Sequence, residues 1–352
     1  MISFADQVQA TLDAVVDAHA ERLAPLGPDA TLLLDEARTS VRGGKRLRAA
    51  FCRAGFTAVA GTSLDGPTEA GVLRAGAALE VLHASALVHD DFMDASDTRR
   101  GRPAAHRAFA AHHDAQGWPG SAEQYGGAAA ILLGDLLLTW SDELLRTCGL
   151  PDAQVADALV VLDHTRSEVV AGQFLDVSVQ ARGRGSVEEA MRVLRYKSAK
   201  YSVERPLHVG AALAGADDAQ VSALSDVGLP VGEAFQLRDD LLGVLGDTQR
   251  TGKPAGDDLR EGKRTVLVAL ALESLSPADA ARLEAGLGTA LAPEEVAALQ
   301  ELVRGSGAVE QVERLIDDLT ARAFAALDTA PIDAAAREEL RALAEAAVRR
   351  VV

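Results

Sequence analysis

The sequence predicts an all-α protein, a single-domain helical bundle that spans residues 1–352. Three observations predict this fold class. Ala and Leu dominate the chain while aromatic residues make up only 4% of it, which favours helices over strands. Apolar residues recur at helical spacing almost throughout, interrupted by Gly, Pro and Asp. No stretch alternates with period two for long enough to form a sheet, and no repeat or Ser/Gly linker divides the chain.

The individual helices follow from where the apolar spacing begins and ends. The predicted helices are 4–22, 29–41, 45–60, 68–94, 122–147, 152–180, 187–214, 217–245, 264–274, 277–287, 293–304, 307–328 and 332–351. Two polar stretches, 95–121 and 246–263, are predicted as mobile loops. Each loop follows an aspartate cluster, so each is placed where it could fold over a bound phosphate.

Composition excludes several classes of function. The net charge of −17 argues against a nucleic-acid-binding surface and against electrostatic docking on anionic lipid. Two cysteines, Cys52 and Cys148, form neither a disulfide framework nor a zinc motif. The segment from Met1 to Arg22 has no apolar signal-peptide core, and no uninterrupted apolar run approaches the roughly 18 residues of a membrane span. A cytoplasmic protein with no membrane span is expected.

The first aspartate cluster ends an apolar helix with Asp90, Asp91 and Asp94. Asp90 and Asp94 are four residues apart, so they share a helix face with about 5–6 Å between their Cβ atoms. His83 lies about 20° from Asp90 on the same face. Acids at a helix C-terminus oppose the helix dipole, so a solvated helix end does not explain them. Carboxylates at this spacing suit Mg2+, which shares its coordination shell with substrate phosphate.

Basic residues follow this cluster. Arg99 and Arg100 lie just beyond the acids in a Gly/Pro-containing loop, and their guanidinium groups match phosphate oxygens. A second cluster, Asp239 and Asp240, has Gln236 one turn earlier. The charged loop behind it carries cations suited to phosphate, Lys253 and Lys263.

The run Gly43-Gly44-Lys45-Arg46-Leu47-Arg48 precedes a predicted helix. It is not a P-loop, because the upstream glycine spacing and the Ser/Thr after the lysine are missing. A helix start with free N–H groups and cations is still a plausible anion site.

Taken together these motifs resemble the trans-isoprenyl diphosphate synthases, or polyprenyl synthetases, over nearly the whole chain. The resemblance rests on Gly43 to Arg48, His83 to Asp94 with Arg99-Arg100-Gly101, Gly172-Gln173 with Asp176, Lys197-Ser198, Phe235 to Asp240, and Gly252-Lys253-Pro254 through Lys263. It implies an all-α bundle around a central apolar tunnel, a homodimer, and both aspartate clusters at the tunnel mouth.

The resemblance also implies roles for residues. Two or three Mg2+ ions would bind Asp90, Asp94 and Asp239, with Asp91, Asp176 and Asp240 supporting them. The allylic prenyl diphosphate would contact Arg99, Lys197 and Lys253, with Ser198 and Lys263 also in the substrate site. Isopentenyl diphosphate would bind Lys45, Arg48, His83 and Arg100. Gln236 and Gln173 would act near the reacting carbon or would support the residues that contact it.

Two positions depart from the family pattern. The second aspartate motif usually ends in a third Asp, and Gly243 stands in that place, which puts a direct ligand role there in doubt. Ser198 replaces the commoner Thr and keeps the hydroxyl.

The family relates product length to side chains that block the tunnel. It places one floor position at Ser85, with Ala86 beside it; both are small, so this floor is predicted to be open. Leu82, one turn deeper, or Trp140 would form a lower floor, although ordinary packing explains Trp140 better. Geranylgeranyl diphosphate is the expected product, with farnesyl or longer polyprenyl diphosphates as alternatives.

Two other functions remain as remote alternatives. A class I terpene cyclase also uses an aspartate-rich motif and magnesium, but it would need no second diphosphate site of the kind implied at Lys45, Arg48 and His83. A non-catalytic modulating subunit should have lost its acids, whereas here only the third Asp of the second motif is missing.

Overall fold

The computed structural model describes residues 3–246 and 256–349, and nearly all of its regular structure is helical. Helices α1 to α7 are Phe4–Leu23, Pro28–Ser40, Leu47–Ala60, Gly66–Met93, Ala105–Gln116, Ala122–Arg146 and Asp152–Arg182, with a 3-10 turn at Ala24–Leu26. Helix α8, Val187–Val193, continues through a π-helical segment, Leu194–Glu204, into α9, Arg205–Leu213. Helices α10 to α16 are Asp218–Leu245, Asp257–Arg260, Val266–Ser274, Pro277–Gly286, Pro293–Gly305, Ala308–Thr329 and Ala334–Val348. The predicted all-α class is confirmed.

Local capping chemistry explains several helix starts. Asp65 is the N-cap of α4, and its side chain accepts a hydrogen bond from the backbone N–H of Thr68. Asp217 and Gln220 form a reciprocal capping box at the start of α10. Such caps satisfy backbone N–H groups that have no partner within the helix. The two helices that carry the aspartate clusters therefore begin at positions determined by short-range sequence.

The prediction of a loop over 95–121 was wrong in part. Helix α5 occupies its middle, and a hairpin of two-residue strands, Thr98–Arg99 and Arg102–Pro103, precedes it. The helix buries His106, Phe109 and His113, which recur at helical spacing although two of them are polar. The sequence pattern did not predict this helix, because the two histidines of its buried face were treated as polar residues. In the second predicted loop, α11 is a single helical turn, and residues 247–255 lie outside the described residues.

Buried apolar side chains form two clusters that meet at α3. One cluster contains the apolar face of α4 with α1 and α6, and the other joins α10 to α12, α15 and α16. Helix α3 contributes Cys52 and Phe56 to the first and Phe51 and Ala54 to the second. Each fully buried aliphatic or aromatic side chain contributes about 1.5–3 kcal/mol. This packing holds the ends of α4 and α10, which carry the acids, on one rigid frame.

Helix α4 is the one candidate membrane span among the described residues. Its length and composition would allow it to cross a bilayer, but 72% of its most apolar stretch is buried inside the protein. A core helix has the same composition, so α4 gives only weak support for a membrane span.

Candidate active site

The carboxyl end of α4 faces the π-helical segment and α7. Lys197 of the π-helical segment places its Nζ 3.1 Å from Oδ1 of Asp90 and 2.5 Å from Oδ2 of Asp176. Gln173 of α7 donates a hydrogen bond of 3.0 Å to the same Asp90 oxygen. The structure therefore brings together four predicted site residues that are up to 107 positions apart in the sequence, and one lysine ammonium pairs with two of the acids.

Gly172 permits the close approach of α7 to the π-helical segment. A Cβ at this position would lie 2.5 Å from the carbonyl carbon of Tyr196 and 2.8 Å from Cα of Lys197. Real Cβ atoms are not found this close to backbone, so any other residue would push Lys197 away from the acids. π-Helical segments are frequent at functional sites, and this one carries four side chains of the site: Lys197, Ser198, Tyr201 and Ser202.

Asp90 and Asp94 differ in their electrostatic surroundings. Burial alone would raise the pKa of Asp90, but Lys197, Lys263 and Arg99 outweigh it and hold that pKa below its ordinary value. Burial, and then the charge of Asp90, raises the pKa of Asp94 to about 6. Two acids on one face thus compete for positive charge, a condition that an added cation would relieve.

Arg99 pairs with an acid instead of pointing freely at a phosphate site. Its guanidinium donates to Oδ1 of Asp91, with Nε at 2.8 Å, and its NH2 lies 4.0 Å from Oδ2 of Asp90. Asp91 itself is buried at 2% exposure and pairs with Arg99. Asp91 therefore holds Arg99 beside the first cluster, and its predicted support of a metal ion stays a prediction.

A second group of cations lies beside the first cluster. A cavity of about 220 Å³ is lined by Arg42, Arg99, Arg100 and Arg102, by the acids Glu36 and Asp91, and by apolar residues of α4. Arg100 donates to the carbonyl oxygens of Arg42 and Gly43, so it also holds the turn before α3 in place. Lys45 is exposed in that turn. Guanidinium groups at such a density suit a ligand with several anionic oxygens.

Arg48 and His83 meet on the π-helical segment. The Arg48 guanidinium lies 4.2 Å from the centre of the Tyr201 ring and donates to Oγ of Ser202 at 2.7 Å. His83 is hydrogen-bonded to the Tyr201 hydroxyl. Burial, followed by the charge of Arg48, holds the pKa of His83 well below its usual range, so the imidazole is neutral at physiological pH. Tyr201 thus links two residues that the resemblance assigns to isopentenyl diphosphate.

Sequence reasoning missed Tyr201, Ser202 and a buried ion pair between Arg46 and Glu80. The Arg46 NH1 lies 3.4 Å from Oε2 of Glu80, and both side chains are almost fully buried. Arg46 also adopts a left-handed backbone conformation, with φ of 54°, immediately before α3. A glutamate inside the apolar run of α4 was a signal for this pair, because a buried charge requires a partner.

The second cluster is divided between an exposed and a buried acid. Asp239 is exposed at the surface of α10, whereas Asp240 is buried and accepts a 2.8 Å hydrogen bond from Nε2 of Gln236. Ser198 donates to Oε1 of Gln236, which orients its amide. Burial, then the charge of Asp258, raises the pKa of Asp240 well above its ordinary value. Asp239 is consequently the better placed of the two to meet a metal ion or ligand.

Lys263 joins the first cluster to the acids of the α11 segment. Its Nζ lies 3.1 Å from Oδ2 of Asp94, 2.5 Å from Oε2 of Glu261 and 3.8 Å from Oδ1 of Asp258. The segment after α11 therefore contacts the end of α4. Lys253, the other predicted cation of this loop, lies outside the described residues.

The predicted floor residues occupy different sides of α4. Ser85 is buried, and its hydroxyl donates to the carbonyl oxygen of Gly134 on α6 at 2.7 Å. Ala86 is half-buried, four residues before Asp90 on the face that carries His83. Leu82 is buried. Trp140 is buried as well and stacks on His19 with ring centres 3.9 Å apart, which agrees with ordinary packing.

The acids fit a hard divalent cation. Oδ2 of Asp94 is buried without a well-formed hydrogen bond, although the Lys263 ammonium lies nearby. Across residues 3–246 and 256–349, no three His, Cys, Asp or Glu side chains converge into a complete metal cage. Mg2+ does not need one, since it typically binds one or two carboxylates and completes its shell with water and phosphate oxygens.

Comparisons with known proteins agree on one family. The sequence model of the family described as polyprenyl synthetase matches residues 31–304. The chain is 32% identical over 330 residues to a short chain isoprenyl diphosphate synthase of Methanothermobacter thermautotrophicus, covering 94% of this chain and 93% of that protein. It is 31% identical over 314 residues to a geranylfarnesyl diphosphate synthase of Aeropyrum pernix, with coverages of 88% and 91%.

The fold agrees equally well with a solved structure. The crystal structure of geranylgeranyl pyrophosphate synthase from Corynebacterium glutamicum, complexed with isoprenyl diphosphate and magnesium, superposes with a TM-score of 0.95. The two sequences are 42% identical, and the match covers 99% of both chains.

Proposed function

We propose a location for the reaction of this chain, which belongs to the polyprenyl synthetase family and is a prenyltransferase that makes a longer trans-prenyl diphosphate. It condenses isopentenyl diphosphate head to tail with an allylic diphosphate in the site between α4, α7 and α10. The observation that carries this proposal is the pairing of Asp90 and Asp176 with Lys197 and of Asp94 with Lys263. These contacts concentrate acids and cations in one place, which is what binding a metal diphosphate requires.

The two substrates would use different sides of the site. The allylic diphosphate would lie against Lys197 and Lys263, whose ammonium groups now rest on carboxylates. Isopentenyl diphosphate would bind the arginine-lined cavity beside Arg100 and the Arg48–His83 group. This separation supports a two-substrate condensation, in which the double bond of one substrate attacks the allylic carbon of the other.

Each residue would have a defined chemical role. Lys197 and Lys263 would stabilise the charge that grows on the departing diphosphate, a preorganised electrostatic effect. The half-buried side chains along α4 would exclude water from the allylic cation. Attack by the double bond forms the new carbon–carbon bond, and a proton then leaves the adjacent carbon, with the released diphosphate as its acceptor. No side-chain nucleophile is required.

We assign Asp90, Asp94 and Asp239 to two or three Mg2+ ions. When bound, Mg2+ would supply Lewis-acid stabilisation of the diphosphate oxygens. The carboxylate chemistry and the buried Asp94 oxygen support this assignment. A solved relative holds magnesium together with isoprenyl diphosphate, and this chain has carboxylates that would serve the same ion.

Geranylgeranyl diphosphate is our proposed product. The small side chains of Ser85 and Ala86 argue against the shortest products, and a structural relative at 42% identity is a geranylgeranyl pyrophosphate synthase. A relative at 31% identity makes geranylfarnesyl diphosphate, so a longer product is the main alternative. A farnesyl product would require a side chain that blocks the tunnel nearer to the aspartate clusters than Ala86 does.

The basic residues of the site argue against the two remote alternatives, a terpene cyclase and a non-catalytic modulating subunit. A terpene cyclase has one diphosphate to bind and would not need Arg48, His83 and Arg100 grouped beside the acids. A modulating subunit would not need Lys197 and Lys263 both paired with the acids of the first cluster. Prenyl transfer accounts for both features.

We further propose that the protein is a homodimer. Three side chains of α7, Val170, Phe174 and Val177, recur at helical spacing and are between 40% and 72% exposed. Leu132 on the adjacent α6 is also exposed. A second copy of this chain would cover this face, which includes Phe174, the residue after Gln173 of the site. Phe174→Asp should shift sedimentation from dimer to monomer, whereas a wild-type protein that already sediments as a monomer would contradict the proposal.

The remaining proposals concern the setting of the enzyme. We propose one polyprenyl synthetase domain over 1–352, located in the cytoplasm, that acts on small prenyl diphosphates and not on nucleic acid. The acidic net charge of −17 and the burial of most of the apolar stretch of α4 support this setting.

The decisive experiment is incubation of the purified protein with Mg2+, isopentenyl diphosphate and each allylic primer in turn, with products sized by mass spectrometry. We expect elongation that ends at geranylgeranyl diphosphate. Asp90→Ala should lower turnover by several orders of magnitude while the far-UV circular dichroism spectrum is unchanged. Elongation by Asp90→Ala at a near-normal rate would rule out the metal assignment, and a cyclised hydrocarbon would identify a cyclase.

A further inference from the structure

Gly243 ends the second aspartate motif, and an acid from elsewhere in the chain fills the space beside it. A Cβ at position 243 would lie 2.5 Å from Cγ of Asp258 and nearer still to its Oδ2. No side chain longer than hydrogen fits there while Asp258 keeps its place. The carboxylate of Asp258 thus lies where a side chain at position 243 would begin.

The position of Asp258 is held by packing and by backbone hydrogen bonds. It lies on the single turn α11, and the adjacent Leu259 is completely buried. The Leu259 carbonyl accepts hydrogen bonds from the backbone N–H groups of Gly262, at 3.2 Å, and Gly288, at 3.0 Å. The Lys263 N–H donates to the Asp258 carbonyl at 3.0 Å. These contacts hold the backbone of α11, from which the Asp258 side chain extends to Gly243 of α10.

The surroundings of Asp258 connect both clusters. Its Oδ1 lies 3.8 Å from Nζ of Lys263, and the same ammonium lies 3.1 Å from Oδ2 of Asp94. On the other side, the charge of Asp258 is felt by Asp240, the buried acid of the second cluster. Asp258 therefore lies between the acids of α4 and those of α10, although it belongs to neither aspartate motif.

We propose that Asp258 supplies, from α11, the carboxylate that position 243 lacks, and that it binds or orients the Mg2+–diphosphate complex together with Asp239. Gly243 is then not a lost ligand, since it is the residue that admits Asp258. This inference rests on the proposed function of the site as a prenyl diphosphate synthase. The competing explanation is that Asp258 only neutralises Lys263 and has no effect on the metal.

Three variants separate these explanations. Asp258→Asn removes the charge and keeps the size of the side chain. Gly243→Asp restores the third acid of the usual motif, but its side chain must displace Asp258. The double variant Gly243→Asp/Asp258→Gly returns a single carboxylate to α10 and opens the space it needs. Asp257→Asn is the matched control, because it changes the same charge one position earlier on the same turn.

The measurement is Mg2+-dependent binding of inorganic pyrophosphate by titration calorimetry, with turnover measured in parallel. We expect Asp258→Asn and Gly243→Asp each to weaken this binding about 10- to 100-fold, as loss of an orienting partner does at metal sites. The double variant should recover most of the loss, and Asp257→Asn should bind like the wild type. Thermal unfolding without metal checks that each variant is folded.

The outcomes distinguish this inference from the proposed function. If Asp90→Ala abolishes pyrophosphate binding while Asp258→Asn binds like the wild type, Asp258 only neutralises Lys263 and the inference is overturned. The inference also fails if Gly243→Asp binds as tightly as the wild type. If even Asp90→Ala binds normally, the metal site itself is misassigned, and the proposed function fails along with the inference.

Discussion

Replacing Lys197 with Met should lower the Tm of the protein, and bound Mg2+ should reverse at least half of this decrease. The Lys197 ammonium lies 3.1 Å from an oxygen of Asp90 and 2.5 Å from an oxygen of Asp176. Met has a similar length and no charge, so the variant removes the nearest cation from two largely buried carboxylates.

The size of the effect follows from these distances. At an effective dielectric constant of about 20, a charge pair at 3.1 Å is worth about 5 kcal/mol before desolvation is subtracted. Removing one partner of a buried pair usually costs about 3–5 kcal/mol. Protonation of Asp90 limits the loss, so we expect about 3 kcal/mol. With an unfolding entropy of about 2.1 cal/mol/K per residue over 352 residues, this corresponds to a fall of about 4 °C in Tm.

The assay is thermal unfolding with and without saturating Mg2+ at neutral pH. Bound Mg2+ should replace the missing positive charge, so the difference in Tm between variant and wild type should shrink by at least half. Lys200→Met is the control, because Lys200 lies on the same π-helical segment and pairs at 2.7 Å with Glu168, outside the two clusters. The difference in Tm between Lys200→Met and the wild type should be the same with and without Mg2+. Equal responses of the two variants to Mg2+ would refute the reasoning.

Ala86→Phe should shorten the product by at least one isoprene unit, because Ala86 lies one turn from Asp90 on the face that carries His83; products sized by mass spectrometry test this. Ser85→Phe should also shorten the product but cost about 1–3 kcal/mol of stability by overpacking, since Ser85 is buried and bonded to α6; an unchanged product from both variants would place the floor elsewhere. Burial, then Arg205, lowers the pKa of His208 to about 4, below the 6.5 of an exposed histidine. The unfolded chain therefore binds more protons at this residue between these values, so the contribution of His208 to stability should fall by about 3 kcal/mol as the pH drops from 6.5 to 4. Denaturant unfolding of His208→Gln should show a flatter pH dependence, and an unchanged slope would contradict this assignment.

Local patterns in the sequence determined most of the helices and the chemical character of the site. The helices that carry Asp90 and Asp239 follow from apolar spacing, which depends only on neighbours within a few turns. The i, i+4 relation of Asp90 and Asp94 needed no tertiary information. Helix α5 was missed because its buried face includes His106 and His113, whose burial depends on what packs against them.

Tertiary structure alone decided which charges meet. Arg99 could pair with any nearby acid, and only the hairpin after α4 directs it to Asp91. The sequence showed a missing acid at Gly243, but not that Asp258, fifteen positions later, fills the space. Periodicity reports which face of a helix is buried, whereas the contact between two side chains depends on how closely their backbones approach. That approach is set by the packing of the whole bundle, so no short stretch of sequence contains it.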